Sequence, residues 1–292
     1  FGLKLLGVGN EQWGPQYVER YARFAKTLKS KYPDVQLVGA SGPDPDGQRF
    51  DYLWTQHRRM KTDLVDEHFY RSPQWFLDHT HRYDRYDRAG PKVFAGEYAA
   101  HVADRGNTLE SALAEAAMMT GFERNADVVR MASYAPLLAH EDAWQWRPNL
   151  IWFDNLRVVA TPDYYAQQLF SRNRGDVVLS VRLNAEDGAA EPLRTVFASA
   201  TRDDKAGEII LKIVNAGTNA ISAGVHLDGI ARRQRVSGTE TVLTAESLKA
   251  ENSFELPRRV TPRLASARWD VPDFDHTFPP CSLTVLRVAA KQ

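Results

Sequence analysis

Short apolar runs alternate with amphipathic helical patterns five times along the first 172 residues. The apolar runs have the length of buried strands, and the segments between them repeat apolar residues at helical spacing. This alternation predicts parallel strands joined by crossover helices, because each connection must cross the sheet before the next strand begins. The predicted strands cover residues 3–10, 35–41, 64–70, 92–100 and 128–136. The predicted helices cover residues 15–31, 49–61, 73–87, 108–125 and 162–172, with an aromatic loop at 137–159.

Five strands are too few for a closed (β/α)₈ barrel, which needs eight. The pattern therefore fits either an open doubly wound sheet or the last five strands of a barrel. The chain starts at Phe1, directly on a strand pattern and without an initiating methionine. This start favours the second alternative, and we expect a C-terminal piece of a longer protein. Residues 1–172 are then a partial TIM-barrel catalytic domain that contains strands 4–8.

The pattern changes after residue 172, where helical periodicity gives way to short strands separated by Gly, Asn and Asp turns. Such a succession of strands and turns predicts an antiparallel β-sandwich, here over residues 173–292. The predicted strands of this domain cover residues 177–183, 195–201, 208–215, 223–227, 235–243 and 282–288. The expected fold class is therefore α/β plus all-β.

The composition narrows the range of partners. Lys and Arg together number 37, as do Asp and Glu, so the formal net charge is zero and nucleic acid is not expected as a partner. The sequence has no run of 18 apolar residues, so no membrane-spanning helix is expected.

The single cysteine, Cys281, excludes an internal disulfide. We expect no metal and no cofactor, because neither a thiolate cluster nor a phosphate-binding loop is present. The compartment is left open, since a targeting segment would precede Phe1.

Two glutamates stand at the ends of predicted strands, where β/α folds carry their working groups. Glu11 follows the first strand and Glu97 ends the fourth. Three βα steps of about 30 residues each separate them, which places them across the mouth of a barrel from each other. Each glutamate alone could be a hydrogen-bonded carboxylate at the rim. As a facing pair, they predict glycoside hydrolysis, which uses one carboxyl as the acid and a second as nucleophile or base.

Aromatic residues gather in the same loops, where they could stack on the apolar faces of sugar rings. They are Trp13, Tyr70, Tyr98, Tyr134, Trp144, Trp146 and Trp152.

Several segments together resemble the family 51 glycoside hydrolases, the α-L-arabinofuranosidases of clan A. They are G-V-G-N-E-Q-W-G at 7–14, D-E-H-F-Y at 66–70, V-F-A-G-E-Y-A-A at 93–100, M-A-S-Y-A-P-L-L-A-H at 131–140 and W-Q-W-R-P-N-L-I-W-F-D-N at 144–155. The resemblance covers nearly the whole chain, including the predicted sandwich. The family's barrel has three further strands before the Asn-Glu strand, and these carry additional sugar-binding residues. We therefore expect both catalytic carboxylates here but only part of the sugar pocket.

The resemblance implies a role for each matching residue. Glu11 corresponds to the general acid/base, and Asn10 to the residue that hydrogen-bonds the sugar 2-hydroxyl. Glu97 corresponds to the nucleophile, and Tyr70 to the tyrosine that hydrogen-bonds it. His68 lies two residues before Tyr70, on the same side of its strand, and either binds substrate or supports the site structurally.

Further contacts are expected from the aromatic loop. Asn149 is the preferred side-chain amide for the sugar, with Gln145 as the alternative, and Trp144 is expected in the pocket wall. The resemblance also implies an arabinose-containing oligosaccharide or polysaccharide as the partner, and the capacity to form homo-oligomers.

The expected activity is the retaining hydrolysis of terminal α-L-arabinofuranosyl residues, with the two carboxyl groups about 5–5.5 Å apart. One alternative is another clan A glycosidase, such as an endo-β-glucanase, which would have an open cleft. A second alternative is a non-catalytic carbohydrate-binding fragment.

Overall fold

The computed structural model describes residues 2–185, 194–230 and 232–290. The chain forms two compact units. The first contains Phe1–Tyr70, Arg82–Ala99 and Asn125–Ala135, and the second contains Arg71–His81, Ala100–Arg124 and Pro136–Gln292.

A five-stranded sheet forms the first unit, and its strands lie side by side in the order in which they occur along the chain. β1 pairs in parallel with β2, β2 with β3, and β4 with β5. All five predicted strands are present, with ends that differ by up to two residues. They are β1 (Leu5–Val8), β2 (Gln36–Ala40), β3 (Leu64–Arg71), β4 (Lys92–Ala100) and β5 (Val129–Tyr134).

Two helices of the first unit pack on this sheet, α1 (Gly14–Lys31) and α2 (Gly47–Met60). Tyr17 of α1 ties the first two strands together, because its hydroxyl donates to the Val8 carbonyl at 2.8 Å and accepts from the Ala40 amide at 2.7 Å. Tyr21 packs in the same core. This clamp fixes the end of β1, from which the Asn10-Glu11 segment leaves.

The third predicted helix is much shorter than expected. α3 (Pro73–Asp78) is followed by turns rather than by helix to residue 87. In the first unit, Arg82 and Tyr83 instead hydrogen-bond the buried carboxylate of Glu67. These bonds to a buried charge outweigh the local helical pattern.

The aromatic loop contains a small three-stranded sheet that the sequence analysis missed. Its strands are β6 (Leu138–His140), β7 (Ile151–Phe153) and β8 (Val158–Ala160). The turn between β7 and β8 is closed by Asp154, whose Oδ1 accepts the backbone amides of Leu156 at 2.8 Å and Arg157 at 2.6 Å. Three-residue strands are too short to give a readable alternation.

The rest of the second unit is mostly antiparallel β-structure, together with α4 (Leu109–Arg124) and α5 (Pro162–Arg172). One sheet has six strands in the order β14-β13-β16-β11-β10-β9, and the other pairs β12 with β15. Both contribute to a core that includes Ile213, Trp269, Phe274, Phe278 and Leu286. The eight strands are β9 (Val177–Leu179), β10 (Val196–Asp203), β11 (Glu208–Asn215), β12 (Ile221–His226), β13 (Gln234–Thr244), β14 (Arg263–Val271), β15 (Asp273–Phe278) and β16 (Ser282–Ala289).

β14 and β15 were not predicted, because polar residues and alanine interrupt their apolar pattern. Among the described residues, no helix combines the length and the apolar character that crossing a membrane requires.

Candidate active site

The two predicted catalytic glutamates lie close together in the first unit. Glu11 follows β1 in a left-handed conformation with φ of 54°, directly before the turn into α1. Glu97 lies on β4. Their side chains are 36% and 32% exposed, so both remain accessible to a substrate.

His68 of β3 contacts both glutamates through one ring nitrogen. Its Nδ1 is 3.0 Å from Glu11 Oε1 and 3.4 Å from Glu97 Oε2. The imidazole nitrogen and the two carboxylate oxygens all lie within 4.8 Å of one another. Two carboxyl groups this close suit a mechanism in which one carboxyl is protonated and the other is charged.

Tyr70 completes the group that the sequence predicted on β3. Its hydroxyl donates a 2.8 Å hydrogen bond to Glu97 Oε2. Burial raises the pKa of Tyr70, and the hydrogen bond and negative charge of Glu97 raise it further. The phenol therefore stays protonated and remains a donor to Glu97 at physiological pH.

His68 has a carboxyl group near each of its ring nitrogens. Its other ring nitrogen, Nε2, is 3.1 Å from Asp66 Oδ2. Burial on its own lowers the pKa of His68, but the hydrogen bond and charge of Asp66, the hydrogen bond to Glu11 and the charge of Glu97 outweigh it and raise the pKa to about 9. A ring with both nitrogens protonated cannot coordinate a metal. A cation would therefore have to displace the Nδ1 proton in order to bind the three atoms that Glu11, His68 and Glu97 offer within 4.8 Å of one another.

Asn10 is exposed beside Glu11, and its backbone amide donates to Gln12 Oε1. The structure thus brings Glu11, His68, Tyr70 and Glu97 together, with Asn10 adjacent to Glu11 in the chain.

The two predicted contacts from the aromatic loop belong to the second unit. Trp144 is 50% exposed and lines a cavity of about 230 Å³ together with Asn107, Arg147 and Trp152. Asn149 is buried, with its side-chain amide donating to the Trp146 carbonyl and its backbone amide to Asn107 Oδ1. The alternative, Gln145, is exposed.

The predicted aromatic cluster divides into exposed and buried rings. Trp13, Trp144 and Trp146 are at least half exposed. Tyr98 and Tyr134 are buried, and Tyr98 stacks on Phe69 with 5.5 Å between ring centroids. These two rings are packing residues of the sheet and offer no face to a sugar.

Two further residues of β3, directly before His68, contact the site or its supporting network and were not predicted. Asp66 lies on the same side of β3 as His68 and Tyr70, and the alternation of side chains along the strand could have identified it. Glu67 points the other way, is fully buried, and is bonded by Trp54, Arg82, Tyr83 and Tyr86 at 2.8–3.1 Å. It holds β3 in place between the two residues that face the site.

Comparison with known proteins identifies the family of the chain. The chain matches the family described as Alpha-L-arabinofuranosidase C-terminal domain over residues 83–282, and the Alpha-L-arabinofuranosidase 1 domain over residues 1–88. It is 47% identical over 194 residues to the extracellular exo-α-L-arabinofuranosidase of Streptomyces chartreusis, covering 66% of this chain and 23% of that protein. It is 33% identical over 300 residues to α-L-arabinofuranosidase 1 of Arabidopsis thaliana. That match covers 100% of this chain and 42% of the Arabidopsis protein.

Solved structures give the same result for the fold. The arabinose-bound α-L-arabinofuranosidase MgGH51 superposes with a TM-score of 0.83 at 30% identity, covering 99% of this chain and 46% of that one. The Thermotoga maritima α-L-arabinofuranosidase in its arabinose complex superposes with a TM-score of 0.77 at 18% identity. That match covers 98% of this chain and 66% of the Thermotoga chain. The chain thus spans less than half the length of the curated relatives named above.

The fold and the site define the class: five β/α units of a TIM barrel followed by an antiparallel β-sandwich, with one site carboxylate after β1 and the other on β4. The predicted fold class is confirmed. Within that class, the chain belongs to the glycoside hydrolase family 51 α-L-arabinofuranosidases, and it corresponds to their C-terminal portion.

Proposed function

We propose that this chain carries the catalytic carboxylates of a retaining glycoside hydrolase that releases terminal α-L-arabinofuranosyl residues. The observation that carries the proposal is the arrangement of Glu11 and Glu97 next to the same ring nitrogen of His68, with Tyr70 bonded to Glu97. The names of the relatives support the choice of sugar, since each is an α-L-arabinofuranosidase.

In the first step, an oxygen of Glu97 forms a bond to the anomeric carbon of the arabinofuranosyl unit. The bond from that carbon to the leaving oxygen breaks, and the leaving oxygen takes the proton of Glu11. In the second step, water attacks the anomeric carbon, Glu11 takes the proton of the water, and the ester to Glu97 breaks. Tyr70 donates a hydrogen bond that favours the charged form of Glu97 while it acts as nucleophile.

The distance between the carboxylates supports retention. Retaining enzymes hold their carboxyl groups about 5–5.5 Å apart, whereas inverting enzymes need about 6.5–9.5 Å to admit a water. One oxygen of Glu11 lies within 4.8 Å of one oxygen of Glu97, which fits direct attack by Glu97.

The remaining binding residues follow from the same proposal. Asn10 is proposed to bond the sugar 2-hydroxyl. The sugar contacts that the resemblance implies for Trp144 and for either Asn149 or Gln145 stay predictions. The substrate is an arabinose-containing oligosaccharide or polysaccharide. The boundary between catalytic domain and sandwich at residues 172 and 173 and the formation of homo-oligomers stay predictions, and light scattering on the purified protein tests the latter.

Two alternatives are weaker. An endo-β-glucanase is not favoured, because the named relatives act as arabinofuranosidases. A purely sugar-binding sandwich would need exposed rings, but Trp269, Phe274 and Phe278 are all buried.

The test is hydrolysis of 4-nitrophenyl α-L-arabinofuranoside by these 292 residues and by the complete open reading frame that encodes them. Glu97→Ala and Glu11→Ala are compared with Glu19→Gln, an exposed helix position. We expect activity to fall by about 10⁴-fold or more in Glu97→Ala and to be unchanged in Glu19→Gln. Absence of hydrolysis by both forms of the protein, or full activity in Glu97→Ala, contradicts the proposal.

A further inference from the structure

A third carboxylate, Asp66, lies at Nε2 of His68, whereas both site glutamates approach Nδ1 of the same ring. Asp66 Oδ2 is 3.1 Å from His68 Nε2, and Glu11 Oε1 is 3.0 Å from Nδ1 on the other side of the ring. The His68 side chain is 2% exposed and that of Asp66 is 15% exposed. Each nitrogen of a buried imidazole therefore faces a carboxylate.

This geometry limits where protons can reside. If both carboxylates are ionised, both ring nitrogens must be protonated, since a nitrogen lone pair would otherwise face a carboxylate oxygen. If the Nδ1 proton moves to Glu11, the ring accepts from Glu11 and still donates from Nε2 to Asp66. One proton can thus shift between Nδ1 and Glu11 Oε1 while the bond to Asp66 persists in both states.

Contacts with the neighbouring residues fix the position of Asp66. Its backbone carbonyl is held by Ser41, through the amide at 3.0 Å and the hydroxyl at 2.7 Å. On the neighbouring strand, a Cβ at Gly96 would lie 2.0 Å from Asp66 Oδ1, so only glycine leaves room there. Within the part of the chain that the structure describes, buried Oδ1 has no hydrogen-bond partner, which leaves His68 as the group that compensates the charge.

We propose that Asp66 is a positioning residue, which acts through His68 to hold one proton between the imidazole and the Glu11 carboxylate. The inference deepens the proposed function, because this proton is the one that the leaving oxygen receives. The pair of Glu11 and His68 gives up one proton in the first step and regains one from water in the second. Asp66 raises the affinity of the pair for that proton without touching the sugar.

The titratable groups that face His68 are Glu11, Asp66 and Glu97, with the Tyr70 hydroxyl bonded to Glu97. Three carboxylates around one ring agree with the raised pKa of His68. Loss of any one of these charges should lower it.

The test is an NMR pH titration of the ring nitrogens of His68 in this chain, with the resonances assigned by their absence in His68→Gln. Wild type, Asp66→Asn and the exposed control Glu19→Gln are compared. We expect a wild-type midpoint of about 9. Asp66→Asn should lower the midpoint by about one to two pH units, and Glu19→Gln should leave it unchanged.

A wild-type midpoint of about 6.5, or an unchanged midpoint in Asp66→Asn, overturns the inference. If Asp66→Asn does not fold, Glu11→Gln serves instead, because the half-exposed Glu11 lies in a turn. Its midpoint should also fall, and an unchanged value contradicts proton sharing.

A second readout uses turnover. In Asp66→Asn the alkaline limb of kcat/KM should move to lower pH by the same amount as the NMR midpoint, which a purely structural role would not cause. The NMR titration needs no turnover. If the midpoints are as expected but neither this chain nor the complete open reading frame hydrolyses the substrate, the proposed function is contradicted and the proton-sharing inference is supported. An active protein whose alkaline limb does not move in Asp66→Asn would contradict the inference alone.

Discussion

The hydroxyl of Tyr70 donates a 2.8 Å hydrogen bond to Oε2 of Glu97, from a strand adjacent to the one that carries Glu97. A neutral phenol that donates to a carboxylate favours its charged form, and the raised pKa of Tyr70 keeps the phenol neutral. The bond therefore links the position of β3 to the charge of the proposed nucleophile.

Tyr70→Phe removes that donor and keeps the ring. We expect kcat to fall by about 10- to 100-fold, because a hydrogen bond to a charged group contributes about 1.5–3 kcal/mol. Measurement of kcat and KM on the aryl arabinofuranoside checks this, with Tyr32→Phe as the control at an exposed position. A Tyr70→Phe enzyme with unchanged kcat would show that the bond does not assist Glu97.

Gly96→Ala places a methyl group 2.0 Å from Asp66 Oδ1. We expect a loss of about 1–3 kcal/mol of unfolding free energy, because β3 and β4 must separate or Asp66 must leave its position. The matched control is Gly7→Ala, since a Cβ at Gly7 meets no atom within 4 Å. Urea denaturation of both variants checks the prediction, and equal stabilities would contradict the tight fit at Gly96.

Glu67→Gln tests the buried network behind the site. The carboxylate of Glu67 is fully buried and forms an ion pair with Arg82 at 3.1 Å. Glu67→Gln removes the negative charge and leaves the Arg82 guanidinium buried without its ionic partner. We therefore expect the free energy of unfolding to fall by about 3–5 kcal/mol. The exposed Glu19→Gln variant should change stability by less than about 0.5 kcal/mol. Similar losses in both variants would mean that the Glu67 network does not hold β3.

Glu115→Gln should make the protein more stable at alkaline pH. Glu115 is buried, and burial together with the negative charge of Asp163 raises its pKa well above the usual value. In the folded protein Glu115 keeps its proton, whereas in the unfolded chain it releases that proton above about pH 4.5. The free energy of unfolding of the wild type therefore falls by up to about 1.4 kcal/mol per pH unit above pH 4.5, until Glu115 of the folded protein ionises. Glutamine does not ionise, and the variant avoids this loss.

The free energy of unfolding of Glu115→Gln and wild type should therefore converge at about pH 4 and diverge as the pH rises. Asp163, whose pKa burial raises to about 6, contributes to the pH dependence of both proteins. Glu110→Gln on the exposed side of the same helix is the control. If the wild type were more stable than Glu115→Gln at pH 8, Glu115 would not be protonated in the folded protein.

The strands of the first unit could be predicted because β2 and β4 are long apolar runs bounded by polar residues. Glu11 and Glu97 could be predicted because glutamate at the end of such a run is unusual. The end of α3 could not, since it depends on how Arg82 and Tyr83 reach Glu67. The bonds of His68 to Asp66 and Glu11 also depend on side-chain packing, which periodicity does not encode.

The central claim is that Glu97 is the nucleophile of a retaining reaction. The most direct measurement is mass spectrometry of peptides after reaction with a 2-deoxy-2-fluoro-α-L-arabinofuranosyl donor, which slows hydrolysis of the covalent intermediate. We expect one fluoroarabinosyl ester, on the side chain of Glu97. A label on Glu11, or turnover of the natural sugar with inverted configuration and no label, would contradict it.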